Sequence, residues 1–582
     1  MVQSPVDEAA RPPGGLFVVR LVIALVQAWA LYGLAEATTE PIAWPATVPV
    51  IFTPLLMVFA LTPLAAVQGL GRIGTRPLVF WCAAAAAILA LLGYYDAWRG
   101  EVPATIGQDR FWPHHQLVWA VMAALFVAHA LVVDSVIERR LMPAYPRHFD
   151  TAWKQGLQVA LTIFFVALFW GLLHLGAKLF KLVRIDQVET LIEKRWFAIP
   201  ATTLAIATAI HVTDVQPALI RGARSVVLTL TSWLLPLFAA LMLAFLASLP
   251  FTTLKPLWET HFAADLLLTA AGAIVFLVNT CYQDGAEEQT RSRIKRLAVM
   301  LGAVELVPLT GLAAWALALR VGDYGWTTER VFAAAVIAVA ACYALGYAGA
   351  ALSRSGWMRR LETVNFATAY VALALFLLLF SPILDPARIM VANQLARLKS
   401  GAVTAAEFDF AALKFDGARW GTTALAELAK TDGPGADLIR HSVAVVQAAS
   451  NRWAARTLAP DAAGRIKVYP EGRELPPNLL DGDVEGIAAA CRFVRNSCAA
   501  RYITLRDGDR EALILVSSYS GGLFQQDDAG HWHETAELQG LSLAKDAASP
   551  TLAVPVGTQP HDLPDLKIGD QRVTLVPKPA GR

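Results

Sequence analysis

Eleven blocks of apolar residues, each about twenty long, dictate the medium in which this chain folds. They lie near residues 16–34, 46–68, 78–95, 116–134, 156–177, 196–213, 226–249, 264–282, 297–319, 331–351 and 363–382. At 1.5 Å of helical rise per residue, each is long enough to cross a hydrocarbon core about 30 Å thick. A soluble protein spreads its apolar residues along the chain. Here 56% of the 582 residues are hydrophobic, only 16% are charged, and the two classes are segregated. The pattern specifies a polytopic α-helical membrane bundle, with the lipid bilayer as its first partner, and excludes an ordinary cytosolic enzyme. A net charge of +2 without any basic run excludes nucleic acid as a partner. The first block is too long for a signal-peptide core and reads as a retained helix, with cleavage at Ala35-Glu36-Ala37 as the alternative and Arg20 snorkelling to the inner interface.

Lysine and arginine in the connecting segments set the orientation, because short loops rich in them stay on the cytoplasmic side. With eleven spans and a cytoplasmic N-terminus, sixteen such residues fall inside and ten outside. Dropping the sixth block, which Pro200 and several threonines dilute, reverses that tally. Eleven spans therefore fit best, and the C-terminal tail is expected outside. The outer segment 178–195, KLFKLVRIDQVETLIEKR, carries five positive charges, and its apolar residues recur at helical spacing. It reads as one amphipathic helix lying among lipid headgroups, with a re-entrant hairpin as the alternative.

After Ser381-Pro-Ile-Leu-Asp-Pro386 the composition becomes that of a soluble domain, which divides the chain into a membrane domain (1–384) and an extracytoplasmic α+β domain (385–582). Amphipathic helices are predicted over 387–399, 404–414, 417–430 and 435–450, with Gly401 closing the first. Strands dominate from 465 onward: IKVYP, RYITL, EALILVSSY, GLFQQ, HWHETAEL and QRVTLVPK. A helix over 483–495 interrupts them, Gly521-Gly522 reads as a turn, and Asp527–Gly530 is a hairpin turn. Cys491 and Cys498 are the only cysteines of the tail, and an extracytoplasmic location makes them a structural disulfide. His531 and His533 share a strand face but have no third ligand in register, so no metal site is read there. No dinucleotide, Walker, nucleophile-elbow or zincin motif is present, and no cofactor is expected.

The segment Arg320-Val-Gly-Asp-Tyr-Gly-Trp-Thr-Thr-Glu-Arg-Val331, with Leu361-Glu-Thr-Val-Asn365, Ser381-Pro-Ile-Leu-Asp-Pro-Ala-Arg388 and Gln394-Leu-Ala-Arg-Leu398, resembles a family of bacterial inner-membrane proteins known only as a domain of unknown function, family 4153. Its most specific part is Tyr324-Gly-Trp-Thr327 ahead of a membrane helix. The resemblance implies a bacterial inner membrane and no reaction, so it supplies no catalytic residues. Thr327 has the chemistry of an N-cap for the tenth span and Trp326 that of an interface anchor, and Arg320, Tyr324 and Arg330 complete the loop motif.

Ionisable groups at membrane depth are the remaining candidates, since burying a charge in hydrocarbon is costly. Glu305 stands mid-block, three residues before Pro308, where a kink frees a backbone carbonyl. It suits either a proton or cation relay or a hydrogen bond between helices. His129 and His174, in the fourth and fifth spans, could join it or bond between helices. Asp265, Asn279 and Asn365 read as packing or capping groups. The outer loops hold Arg99, Asp109, Arg110, His114 and His115. Three functions are compatible with these features. The favoured one is transport or envelope maintenance with a periplasmic binding domain. The others are an envelope scaffold or sensor acting through a periplasmic protein or envelope ligand, and a membrane-embedded enzyme acting on lipid-linked substrates.

Overall fold

The computed structural model describes residues 15–100, 112–252, 263–285, 292–353, 357–433 and 435–449, and in the C-terminal part residues 452, 466–476, 479, 491, 498–504, 511–517, 521–526, 532–538, 566–568 and 571–573. Two compact units result, one of residues 1–400 with 416–422, the other of residues 401–415 with 423–582. In the first, α1 (Gly15–Ala37), α2 (Pro49–Gly69), α3 (Thr75–Arg99), α4 (His115–Glu138) and α5 (Tyr145–Leu182) are followed by the short α6 (Gln187–Glu193). Then come α7 (Arg195–Val215), α8 (Pro217–Thr252), α9 (Ala263–Tyr282), α10 (Arg293–Tyr324), α11 (Thr328–Ala351) and α12 (Arg360–Leu379). All but α6 are long and apolar enough to cross a membrane, and these eleven match the eleven sequence blocks one for one.

The diluted sixth block forms α7, which lies antiparallel to α1 along its whole length. Arg195 Nη1 donates to the Ala35 carbonyl (2.7 Å) at one end, and Arg20 pairs with Asp214 at the other. Three of its four threonines, Thr202, Thr203 and Thr213, bond to the carbonyls of Ala198, Pro200 and Ala209 in their own helix. The bundle centres on α10, half of whose most apolar stretch is enclosed by protein, against 6% for α5. Ala298, Gly302, Ala303, Ala313 and Ala316 lie on its buried face, and such small side chains let α8, α9 and α11 approach closely. Tighter still is α2 against α3, where a Cβ on Gly93 would lie 3.0 Å from the Pro54 Cα.

One expectation is corrected. The basic segment 178–195 is not a single helix, because α5 runs on to Leu182 and the chain then turns before α6. Arg184 adopts a left-handed φ of 62°, its N–H bonds the Lys181 carbonyl (2.9 Å), and the Ile185 N–H bonds that of Phe180 (3.0 Å). This is a helix-terminating Schellman arrangement formed with arginine where glycine is usual.

Beyond α12, Asp385 caps α13 (Pro386–Lys399), which packs with the membrane unit, and Gly401 ends it with a φ of 74°. The helix predicted over 404–414 begins only at Phe410, as α14 (Phe410–Asp416). Thr404 and Asp409 hold the intervening residues in turns, since Thr404 Oγ1 bonds Glu407 (2.9 Å) and Asp409 Oδ1 accepts from the Ala412 N–H (3.1 Å). Helices α15 (Ala418–Leu428) and α16 (Ala436–Ala448) follow.

The C-terminal sheet has the order β1 (Lys467–Tyr469), β2 (Cys498–Ile503), β3 (Ala512–Ser517), β4 (Gly521–Gln526), β5 (Trp532–Glu537). Strands β1 and β2 pair parallel and the others antiparallel. Every residue of β3 is buried, as befits the middle strand, and Leu513 and Leu515 meet Cys498, Ala500 and Phe524 in one core. Gly521 and Gly522 are not a turn; they open β4. Strands β6 (Leu566–Ile568) and β7 (Gln571–Val573) form a separate hairpin, and β6 had no counterpart in the prediction. The helix predicted over 483–495, apart from Cys491, and the turn at 527–530 lie outside the described residues.

Candidate functional site

At one end of the membrane unit, α13 is held by two sets of polar contacts. The first is at its N-terminus. Asp385, fully buried, accepts from the N–H groups of Ala387 (2.8 Å) and Arg388 (3.1 Å) through one oxygen, capping the helix. Its other oxygen accepts from the Tyr95 hydroxyl (3.0 Å) and Arg99 Nη1 (3.2 Å). Arg99 Nε in turn bonds Asp96 (3.1 Å), and Asp96 takes the His114 N–H (2.9 Å) with the His114 ring 3.0 Å away. The end of α3 and the start of α4 are thereby tied to the start of α13.

Three side chains of α13 then grip the loop between α10 and α11. Asn393 Oδ1 accepts the Trp326 N–H (2.9 Å), and Gln394 Nε2 donates to the carbonyls of Tyr324 and Trp326 (3.0 Å each). Arg397 donates to the carbonyls of Gly322 (3.1 Å) and Asp323 (2.6 Å). The loop turns on Gly325, whose φ is 74°. A Cβ there would collide with Asn393, Arg397 and Gln394 at 2.6–2.8 Å, so only glycine fits beneath the clamp. Arg330 donates to the Gly325 carbonyl and lies over the Tyr324 ring (5.6 Å), while Thr327 caps α11 through the Arg330 N–H (3.3 Å). The Tyr324-Gly-Trp-Thr327 motif and the Gln394…Arg397 motif are thus two halves of one contact. Nearby, Trp98 stacks on Tyr95 (5.8 Å), meets Trp420 edge-on (6.1 Å) and carries the Arg419 guanidinium over its face (3.7 Å).

The opposite end holds a different cluster. Arg20, Arg72 and Lys154 converge on Asp214, Arg72 and Lys154 each at 3.2 Å. Arg20 is fully buried and also reaches His211 (3.3 Å) and the Leu70 carbonyl (3.2 Å). Gln158 accepts from Arg72 (2.7 Å) and donates to Thr213 (3.0 Å). The expectation that Arg20 snorkels is therefore corrected: a carboxylate from α7 reaches it inside the bundle, which satisfies the guanidinium without exit to the headgroups.

Also toward that end, Tyr145, Asn279, Tyr347 and Asn365 from α5, α9, α11 and α12 close a ring of hydrogen bonds 2.6–3.1 Å long. Asn279 and Asn365 therefore bond between helices. Tyr282 donates to Glu362 beside them (2.8 Å).

The intramembrane candidates stay apart. Glu305 is buried on α10, and neither carboxylate oxygen has a partner among the described residues. His129 accepts from Trp81 Nε1 (3.1 Å), and its other nitrogen is buried without a partner among the described residues. His174 is exposed on α5 against the Trp170 ring (5.8 Å). No hydrogen bond or ion pair joins these three. In the C-terminal unit Cys491 and Cys498 form a disulfide, and His533 is exposed on β5. Asp109, Arg110 and His531 lie outside the described residues.

Asp214 was not singled out in the sequence, although a lone acid ending one span and a lone arginine opening another are each a signal of pairing. A family model described as "Domain of unknown function (DUF4153)" matches residues 55–420, a stretch that includes the whole α13 clamp. No curated protein and no solved structure matches the chain.

Proposed function

Since this chain belongs to the DUF4153 family, whose match extends through α13, we propose that it is a bacterial inner-membrane protein of envelope maintenance, working through a periplasmic binding domain. Its N-terminus lies in the cytoplasm, and the periplasmic part begins at residue 385 with the clamped α13 and carries, beyond Ser400, the domain that takes an envelope protein or ligand. The observation that carries this reading is the clamp on α13. A chain leaving the membrane toward a separate domain needs only a flexible linker, yet here the exit helix is fastened at both its start and its last turns. Such a helix passes a displacement of the chain beyond Ser400 to α3, α10 and α11, which suits a domain whose occupancy the bundle senses or supports. The cation excess around Asp214 suits a cytoplasmic end, and a disulfide suits an oxidising compartment.

The test has two parts. In a variant lacking Cys82, Cys281 and Cys342, an impermeant thiol reagent is expected to label Cys491 and Cys498 in intact cells only after reduction; labelling that requires lysis sinks the periplasmic placement. A strain without the protein is expected to admit detergent and large antibiotics. Wild type should restore the barrier and Gln394→Ala/Arg397→Ala should not; full restoration by that variant removes the coupling role.

One observation favours a second reading. Glu305 is buried with both oxygens unpartnered among the described residues and lies one turn from Pro308, as a proton or cation relay would. In reconstituted vesicles carrying a pH-sensitive dye, wild type should dissipate an imposed proton gradient and Glu305→Gln should not. Equal rates eliminate the relay.

A further inference from the structure

Between α4 and α12 lies an open cavity of about 460 Å³ whose surface, formed mainly by residues such as Leu131, Val132 and Leu373, is predominantly apolar. Arg139 and Arg140 stand at one end of it, directly after the last turn of α4. Along α4 the lining runs from Ala128 to Arg139, eleven steps of about 1.5 Å, or roughly 16 Å. That is about half of a hydrocarbon core some 30 Å thick, the depth of one leaflet. The Tyr370 hydroxyl donates to the Leu141 carbonyl (2.5 Å) and so pins the segment bearing the arginines to the α12 wall.

The charges around this mouth are already sorted. Glu138 is engaged by Arg147 (2.8 Å) and the Ala144 N–H (2.7 Å), and Asp134 by His148 (2.9 Å) and Thr151 (2.8 Å). Arg139 and Arg140 are exposed and have no ion pair among the described residues. An aliphatic cavity at membrane depth is a poor site for water, which needs polar partners, and two arginines at the headgroup level are a poor neighbour for a zwitterion. We infer that this cavity is a binding site for an anionic phospholipid, one acyl chain lying along α4 and α12 and the phosphate resting on Arg139 and Arg140. The inference depends neither on the orientation of the chain nor on the role assigned to α13.

The experiment is native mass spectrometry of the full-length protein in detergent, titrated with phosphatidylglycerol or phosphatidylcholine of equal chain length. Wild type should retain phosphatidylglycerol preferentially. Arg139→Gln/Arg140→Gln should lose roughly tenfold in apparent affinity and fall to the phosphatidylcholine level, while Arg139→Lys/Arg140→Lys keeps most of the binding. Val132→Trp, which fills the cavity and leaves the arginines alone, should lose both lipids with an unchanged melting temperature. Equal phosphatidylglycerol retention by wild type and the glutamine variant overturns the site. So does wild-type binding that fails to distinguish the lipids, or displacement by millimolar inorganic phosphate, which would mark a soluble-anion site.

Discussion

The two ends of the membrane unit solve the same problem, charge inside a bundle, in opposite ways. At the α13 end, Asp96 and Asp385 share Arg99, and each also accepts backbone N–H groups, so the carboxylates outnumber the arginine and the backbone supplies the rest. At the other end three cations converge on Asp214 alone. The first network owes much to local geometry, because a helix N-terminus offers donors to any acid placed beside it. The second draws its charges from side chains of separate segments, with the backbone adding only neutral acceptors such as the Leu70 carbonyl, so its charge balance rests on one carboxylate. The difference teaches that the first end should tolerate loss of a charge better than the second.

That contrast can be broken experimentally. The largest effect is expected from Asp214→Asn, which leaves Arg20 buried without a counter-charge and should cost about 3–5 kcal/mol, read as a fall in melting temperature in detergent. A loss below that of Asp385→Ala would overturn the asymmetry. Asp385→Ala removes a helix cap and one acceptor of Arg99, while Asp96 still serves that guanidinium, so about 2–3 kcal/mol is expected in the same assay. Gly325→Ala sharpens the picture at the clamp alone. A left-handed φ and three contacts at 2.6–2.8 Å should cost about 1–2 kcal/mol and raise proteolysis of the loop between α10 and α11.

The smallest effect belongs to an exposed pair in the C-terminal unit. Arg473 bonds Glu511 through its two terminal guanidinium nitrogens (2.7 and 2.9 Å), and this holds the Glu511 carboxyl below the usual glutamate range. A depressed carboxyl pKa stabilises the fold above the unfolded value of about 4.3, and that contribution is lost as pH falls through the lower folded value. Arg473→Ala should therefore narrow the stability difference between pH 7 and pH 3 slightly at low salt and leave it unchanged at high salt. A large, salt-independent effect would show that the pair supports more than itself.

Much of the membrane unit could be read without coordinates. A span declares itself by length and apolarity, both local properties, so all eleven were legible, as were the N-cap at Thr327 and the role of Gly401. Cys491 and Cys498 were legible as a pair because the tail holds no other cysteine. The candidate site was legible only in halves. Tyr324-Gly-Trp-Thr327 and Gln394…Arg397 stood out as motifs, but that the second grips the first depends on α13 folding back over the loop between α10 and α11. Arg20 and Asp214 were harder, since each finds its partner on a helix 194 positions away.

The medium, the number of candidate spans and the change to an α+β tail follow from the chain alone, because hydrophobic transfer acts on each segment independently of where the others lie. Tertiary packing settled which polar groups are satisfied. It gave Arg20 a carboxylate in place of an exit to water, closed the Tyr145, Asn279, Tyr347 and Asn365 ring, and left Glu305 on the central helix without a hydrogen-bond partner among the described residues. The physical reason is that a hydrogen bond or ion pair in a membrane protein is a property of two helices at once, fixed by their relative rotation and depth, which no single span encodes.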